Sequence, residues 1–329
     1  MALVWLAQQL APQWHALPQT TWVAAGLGLV CSYMARAGRL HVEWAPVAKV
    51  SWLECFHVSV SHIAAVSVLP MRSGELGFPW LLHSRWCVSA GDAMRSLIWL
   101  RAQDAVLLCS VVVAAVAAAW LVPDVAAPTL AAVLLGALLL TALVMSQLGR
   151  WLCQAALQRW PHATPQGVPA NARHDGTALS WRQRMHGWPH HWRGFRARLF
   201  AVGAAARPAL WGWAALNWAM KLTVFAALLA ALADVDALTA MAGTLAGESA
   251  AAIPLQAPAG LGTYEAAVWF GVRAVSAADS MRVLLAALIL HVFAICTSLL
   301  TATLSALTLG SVLISPRERD ETLATRGSA

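Results

Sequence analysis

Hydrophobic positions in this chain fall into long runs separated by short polar intervals. A helix needs about 20 predominantly apolar residues to cross a bilayer. Runs of that kind lie at about 20–35, 102–122, 129–149 and 208–233, and a fifth, at about 282–313, is longer than one crossing needs. Residues 1–19 are amphipathic and carry Trp5 and Trp14, which predicts a helix lying in the interface. Two further apolar regions are interrupted. One, about 47–94, breaks at LPMRSGELGFPWLL (Leu69 to Leu82); the other, about 237–277, breaks at IPLQAPAGLGTYEAAVWFGV (Ile253 to Val272). After the first break the chain holds Arg85 and Asp92 and is too short and polar to return across a membrane. A re-entrant hairpin, entering and leaving on one side, is the expected form.

The distribution of charge extends this pattern. Arg36, Arg39, Lys49, Arg72, Arg85, Arg95 and Arg101 surround the first break, nine arginines lie from Arg150 to Arg207, and Arg317, Arg319 and Arg326 lie near the end. With a re-entrant first hairpin all of these share one side, and Asp124, Asp234, Asp236 and Asp279 fall on the other with only Arg273 and Arg282. Basic loops mark the cytoplasmic side. The expected fold is therefore an all-α polytopic membrane protein, a single membrane domain over 1–329 built as an inverted repeat. Its first repeat spans about 20–122 and its second about 208–313. A linking helix at 129–149 and a cytoplasmic Arg/Trp-rich loop at 151–207 join them, and 316–329 is a polar tail. The two re-entrant hairpins are expected to meet at mid-membrane, since paired Gly/Pro breaks in corresponding halves point to a transport site. An ordinary kinked helix is the alternative. The 151–207 loop interleaves Arg and Trp, as a segment touching anionic headgroups would, or simply sets the topology.

Composition excludes several classes. Hydrophobic residues make up 60% and charged residues 11%, against about 25% charged in soluble domains. Eighteen tryptophans suit a protein with two interfaces to anchor. The net charge of +7 is almost all arginine flanking apolar spans, which argues against nucleic acid. The first basic residue is Arg36, so no cleavable signal peptide is expected. No G-x-x-x-x-G-K-[ST] occurs, so no nucleotide motor is expected. The six cysteines form no C-x-x-C and read as small hydrophobes. Glu54 and His57 form one Glu-x-x-His, but di-iron bundles need two copies and further glutamates. Neither metal nor cofactor is expected.

The breaks are where chemistry concentrates. Proline and glycine facing lipid would leave backbone groups unpaired, so broken helix must line protein or a water-filled cavity. Pro70 and Gly74 in the first break, and Pro254, Pro258, Gly260 and Gly262 in the second, are therefore expected around an interior cavity. Glu265 sits in the first turn of the helix after the second break, where a carboxylate is favoured. Glu248 precedes that break, and Arg72 and Glu75 lie within the first. Arg101 and Asp104, three apart on one helix face, can pair. Lys221 lies about 20 Å along the helix that begins near Pro208, with Asn217 one turn earlier. An intramembrane lysine is a functional candidate, or a structural partner for Glu248 or Glu265. His57 and His62 are candidates for proton relay, or simply satisfy a polar neighbour.

These motifs resemble the flippase-like membrane family related to the membrane half of lysylphosphatidylglycerol synthase. Its P-x-R-x-G-E-L is matched by Pro70, Arg72, Gly74, Glu75 and Leu76. Its E-R-x-x-D is matched by Arg101 and Asp104, with Leu100 in place of the acid. Its P-x-x-x-P-G-G-L-G-x-x-E is matched by Pro254, Pro258, Gly260, Leu261, Gly262 and Glu265, with Ala259 in place of the first glycine. Phe78 stands where many members have arginine. The resemblance implies a lipid flippase or scramblase in the bacterial inner membrane, and the charge distribution predicts the N-terminus outside and the C-terminus cytoplasmic. Its substrate would be a phospholipid, a hopanoid or a polyprenyl-linked glycan, with a proton or ion as candidate coupling partner. Arg72, Arg101 and Lys221 would hold an anionic headgroup. Glu75, Glu248 and Glu265 would balance them or receive a cation. A membrane transferase acting on lipid, and a scaffold for a lipid-synthesis enzyme, are the competing readings.

Overall fold

A computed structural model describes residues 11–121, 126–159, 208–251 and 257–309. Pro254, the side chains of Arg72 and Pro258, the 160–207 part of the Arg/Trp-rich loop, the 316–329 tail and residues 1–10 of the interfacial segment lie outside the described residues.

The described chain is helical. In order it forms α1 (Gln19–Ala48), α2 (Trp52–Val68), a 3₁₀ segment η1 (Pro70–Leu76), α3 (Gly77–Trp86), α4 (Ala90–Leu121) and α5 (Ala127–Arg159). After the loop come α6 (Pro208–Ala233), α7 (Ala237–Ala250), a second 3₁₀ turn η2 (Pro258–Gly260), α8 (Thr263–Arg273) and α9 (Ser280–Leu309). Among the described residues four stretches are long and apolar enough to cross a membrane: Ala90–Leu121, Pro128–Trp151, Pro208–Ala233 and Ser280–Thr308. The chain is thus a multi-pass membrane protein.

Three helices differ from expectation. The first was expected to end near residue 35, but α1 continues to Ala48. At about 1.5 Å per residue it is about 45 Å long. It is not among the four apolar helices because Ser32, Arg36, Arg39 and Glu43 occupy one of its faces. That face turns inward: Ser32, Arg39 and Glu43 are buried. The helix α4 begins at Ala90, well before the expected 102. Its early turns pack Ala93, Leu97 and Leu100 into a core with Ala37, Leu40, Val58, Phe78 and Leu82. The polar residues of those turns find partners: Arg95 lies 3.9 Å from Glu43, and Ser96 Oγ donates to Glu43 Oε2 at 2.8 Å. The linking helix α5 runs on to Arg159, into the stretch expected as loop.

Local sequence explains the ends of the short helices. Ser51 and Glu54 cap α2 reciprocally, Glu54 N donating to Ser51 Oγ at 3.2 Å and Ser51 N to Glu54 Oε2 at 2.7 Å. Leu69 precedes a proline, which favours extended backbone, and its φ of −73° and ψ of 136° end α2. Asp236 caps α7 by accepting from Thr239 N at 2.9 Å.

Two more apolar clusters complete the interior. Leu29, Tyr33, Phe225, Leu229, Val268, Val272, Val283 and Leu290 join α1, α6, α8 and α9. Leu107, Val111, Leu134, Leu138, Trp211 and Leu222 join α4, α5 and α6. The two breaks meet between these clusters, η1 packing against η2 and α2 against both.

Candidate functional site

Each break is shaped by a backbone requirement. Gly74 is pressed on α2 so closely that a Cβ there would lie 2.5 Å from the backbone of Ala65 and Val66. In the second break Ala259, Gly260 and Gly262 have φ of 56°, 72° and 83°. This is the left-handed region that glycine enters without penalty. Ala259 is therefore the strained member of the turn. Glu265 then reaches back over the first turn of α8, its Oε2 accepting from Gly262 N at 2.6 Å.

A cavity of about 700 Å³ lies where the breaks meet. Its wall includes Glu75 from η1, Ala259 and Gly260 from the second break, and polar residues of α1, α4, α6 and α7. Charged groups around it are organised in pairs. Arg39 is fully buried and grips Asp104 with two bonds, Nη1 to Oδ1 at 2.8 Å and Nη2 to Oδ2 at 3.4 Å. Trp218 Nε1 donates to the same Oδ1 at 3.2 Å. Arg101 Nη1 lies 3.7 Å from Asp104 Oδ2. Its Nε donates to Glu75 Oε2 at 3.2 Å, and its Nη2 donates to Glu75 Oε1. His62 Nε2 lies 3.5 Å from that carboxylate. The result is an alternating chain, Arg39–Asp104–Arg101–Glu75, closed by an imidazole.

Across the cavity, Lys221 Nζ donates to Glu248 Oε2 at 2.5 Å. The ammonium also lies 5.6 Å from the Trp218 ring centroid and 5.3 Å from that of Phe225, within range of cation–π attraction. Glu265, just behind the wall, meets His291 Nδ1 at 2.7 Å. Asn217 accepts from Ser32 Oγ at 3.0 Å.

Of the sequence candidates, Glu75, Arg101, Asp104, Asn217, Lys221, Glu248 and Gly260 line one cavity, and Glu265 stands beside it. Gly74 braces η1, and Pro70 starts it. Arg101 and Lys221, expected to hold a headgroup, each hold a carboxylate of this chain. Glu54 caps a helix, and His57 sits apart, its Nδ1 3.1 Å from Ser305 Oγ. Sequence reasoning missed Arg36, Arg39, Trp218 and His291. For the two arginines a signal existed: Ser32, Arg36, Arg39 and Glu43 repeat at helical spacing and so share one face of α1.

A bundle of apolar helices enclosing a cavity of paired charges at two helix breaks defines a polytopic membrane protein with a polar interior site. Its family follows from comparison with known proteins. Residues 1–302 match the family described as the lysylphosphatidylglycerol synthase TM region, and the chain belongs to that family. No curated protein and no solved structure matches it.

Proposed function

We propose that this protein moves a lipid, or a lipid-linked headgroup, between membrane leaflets as a flippase or scramblase, and is a transporter rather than an enzyme. One observation carries the reading. The cavity is bounded by both helix breaks, and most of its ionisable groups are held against one another in the interior of an apolar bundle. Intramembrane charges of this kind mark substrate pathways, and broken helices meeting at a shared site are the usual architecture of alternating access. A volume of about 700 Å³ falls within the range of small-molecule sites, about 300–1,000 Å³. Family membership supports a lipid substrate.

In this reading α2–η1–α3 and α7–η2–α8 are re-entrant hairpins of an inverted repeat. They enter from opposite faces of a bacterial inner membrane, with the basic side cytoplasmic, the N-terminus outside and the C-terminus inside. A transferase would gather its acid, base and nucleophile at one membrane face, whereas the ionisable groups here surround the breaks.

Purified protein in vesicles carrying trace fluorescent phosphatidylglycerol, phosphatidylethanolamine or a polyprenyl phosphate provides the test. The wild type should expose inner-leaflet label to an external quencher faster than protein-free vesicles for at least one of these lipids. Glu265→Gln, which keeps the shape but removes the charge facing His291, should slow that movement at least about tenfold, within the range set by loss of a charge-assisted hydrogen bond. Wild-type rates equal to protein-free vesicles for every lipid would refute the proposal.

A further inference from the structure

The charges around the cavity do not all cancel. Its charged lining is Arg36, Arg101 and Lys221 against Glu75, Asp104 and Glu248. Glu75 is held by Arg101, Glu248 by Lys221, and Asp104 by Arg39 from behind the wall. Glu265 is outside the lining, engaged by Gly262 N and His291. Arg36 remains. Among the described residues, no carboxylate oxygen lies within 4 Å of its guanidinium, and no hydrogen bond engages it. It nevertheless lies within electrostatic reach of Arg101, Arg39, Asp104 and Glu75. Arg101 and Arg39 repel it, and the two acids are already committed to them.

An arginine stays protonated in a protein, so this charge cannot be shed. An uncompensated charge inside a membrane protein is expensive and needs an anion or water. Arg36 does not lie buried in apolar packing: it is only half-buried and opens into the cavity. Ser32 and Tyr33, one turn before it on α1, line the same wall and add hydroxyl groups to that face. A planar guanidinium with free N–H groups on a polar wall matches a phosphate, which it can bind with two parallel hydrogen bonds. A carboxylate of this chain serves as counter-charge for each of the other three cations, but among the described residues none lies within ion-pair distance of Arg36.

We infer that Arg36 is the anion receptor of the cavity and that its ligand is a phosphodiester, making the substrate of the proposed transport an anionic phospholipid headgroup and not an uncharged lipid. The inference rests on the transport reading for its biological role, but on the charge geometry alone for the binding. An incoming phosphate finds Arg101 and Lys221 occupied and meets Arg36 first. It brings the one negative charge that Arg36, Arg39, Arg101 and Lys221 lack against Glu75, Asp104 and Glu248.

The test measures lipid affinity, separately from movement. The full chain in neutral detergent is titrated with phosphatidylglycerol or with diacylglycerol of the same acyl chains, and bound lipid is counted by native mass spectrometry. The wild type should prefer phosphatidylglycerol by at least about tenfold, the scale of a hydrogen bond to a charged group. Arg36→Gln should lose that preference. Arg36→Lys, which keeps the charge but not the fork, should bind less tightly than wild type while retaining the preference. Inorganic phosphate is the competitor: displacement of the lipid at millimolar concentration would identify a soluble anion as an equal ligand of the same receptor, and no displacement would assign the site to the headgroup. A wild type without preference, or an Arg36→Gln protein that keeps it, overturns the inference. The first of these outcomes needs no variant to fold. Preference without lipid movement would sink the transport reading alone, and movement with binding unaltered by Arg36→Gln would sink this inference alone.

Discussion

Replacing Lys221 by methionine keeps length and apolar bulk and removes one charge. In the folded protein Lys221 Nζ lies 2.5 Å from Glu248 Oε2, and the glutamate side chain is only 4% exposed. Methionine strands that carboxylate. Breaking a buried pair from one side costs about 3–5 kcal/mol. The lysine side chain is 29% exposed toward the cavity, so water offsets part of the loss and the lower bound, about 3 kcal/mol, is the better expectation. Removing both charges leaves neither ion uncompensated and is often close to neutral. Lys221→Met with Glu248→Gln should therefore recover most of what Lys221→Met loses, a coupling of about 2–3 kcal/mol in a double-mutant cycle. Intrinsic tryptophan fluorescence during heating in detergent reads this directly. A loss of about 3 kcal/mol corresponds to roughly 4 °C in the unfolding midpoint of a chain of this length. If Lys221→Met melts with the wild type, or the double variant melts as low as Lys221→Met, then the pair is not a buried counter-charge and the argument for a paired cavity fails.

Two further outcomes concern the breaks. Ala259→Gly should raise the unfolding midpoint, because relief of a left-handed alanine outweighs the added chain entropy of glycine by about 0.5–1 kcal/mol; an unchanged or lower midpoint would show the turn to be unstrained. Gly74→Ala should lower it by the equivalent of about 1–3 kcal/mol, since the new methyl meets the α2 backbone and not a yielding side chain; wild-type stability would show that η1 can lift away from α2 freely.

The apolar runs placed α6 and α9 to within a few residues, and of the break residues expected around a cavity Gly260 lines it, while Pro70, Gly74 and Gly262 do not. Both signals are local: bilayer thickness fixes run length, and a broken helix must be sheltered. What stayed hidden was long-range. Asp104 reads as the partner of Arg101, three residues away, yet its closest cation is Arg39, on another helix. Nothing in spacing alone announces such a pair. Arg36 and Arg39 also followed an apolar run and resembled topology charges at a helix end. They belong to the interior because α1 continues past them. His291 sits within an apolar run of α9, where a lone imidazole carries no pattern until Glu265 is placed opposite.

Trp218, Arg39 and Glu75 come from three separate elements, and all converge on the single turn of α4 that holds Arg101 and Asp104. That turn acts as a mechanical node. Sliding α1, η1 or α6 past α4 has to break at least one polar contact sheltered from solvent, so these elements are bound to shift together. On the opposite wall, among the described residues, the ion pair Lys221–Glu248 joins α6 and α7, which also pack directly against each other. If the transport proposed above opens this cavity, a movement that spares the node has to part the Lys221–Glu248 pair and the packing of α7 on α6.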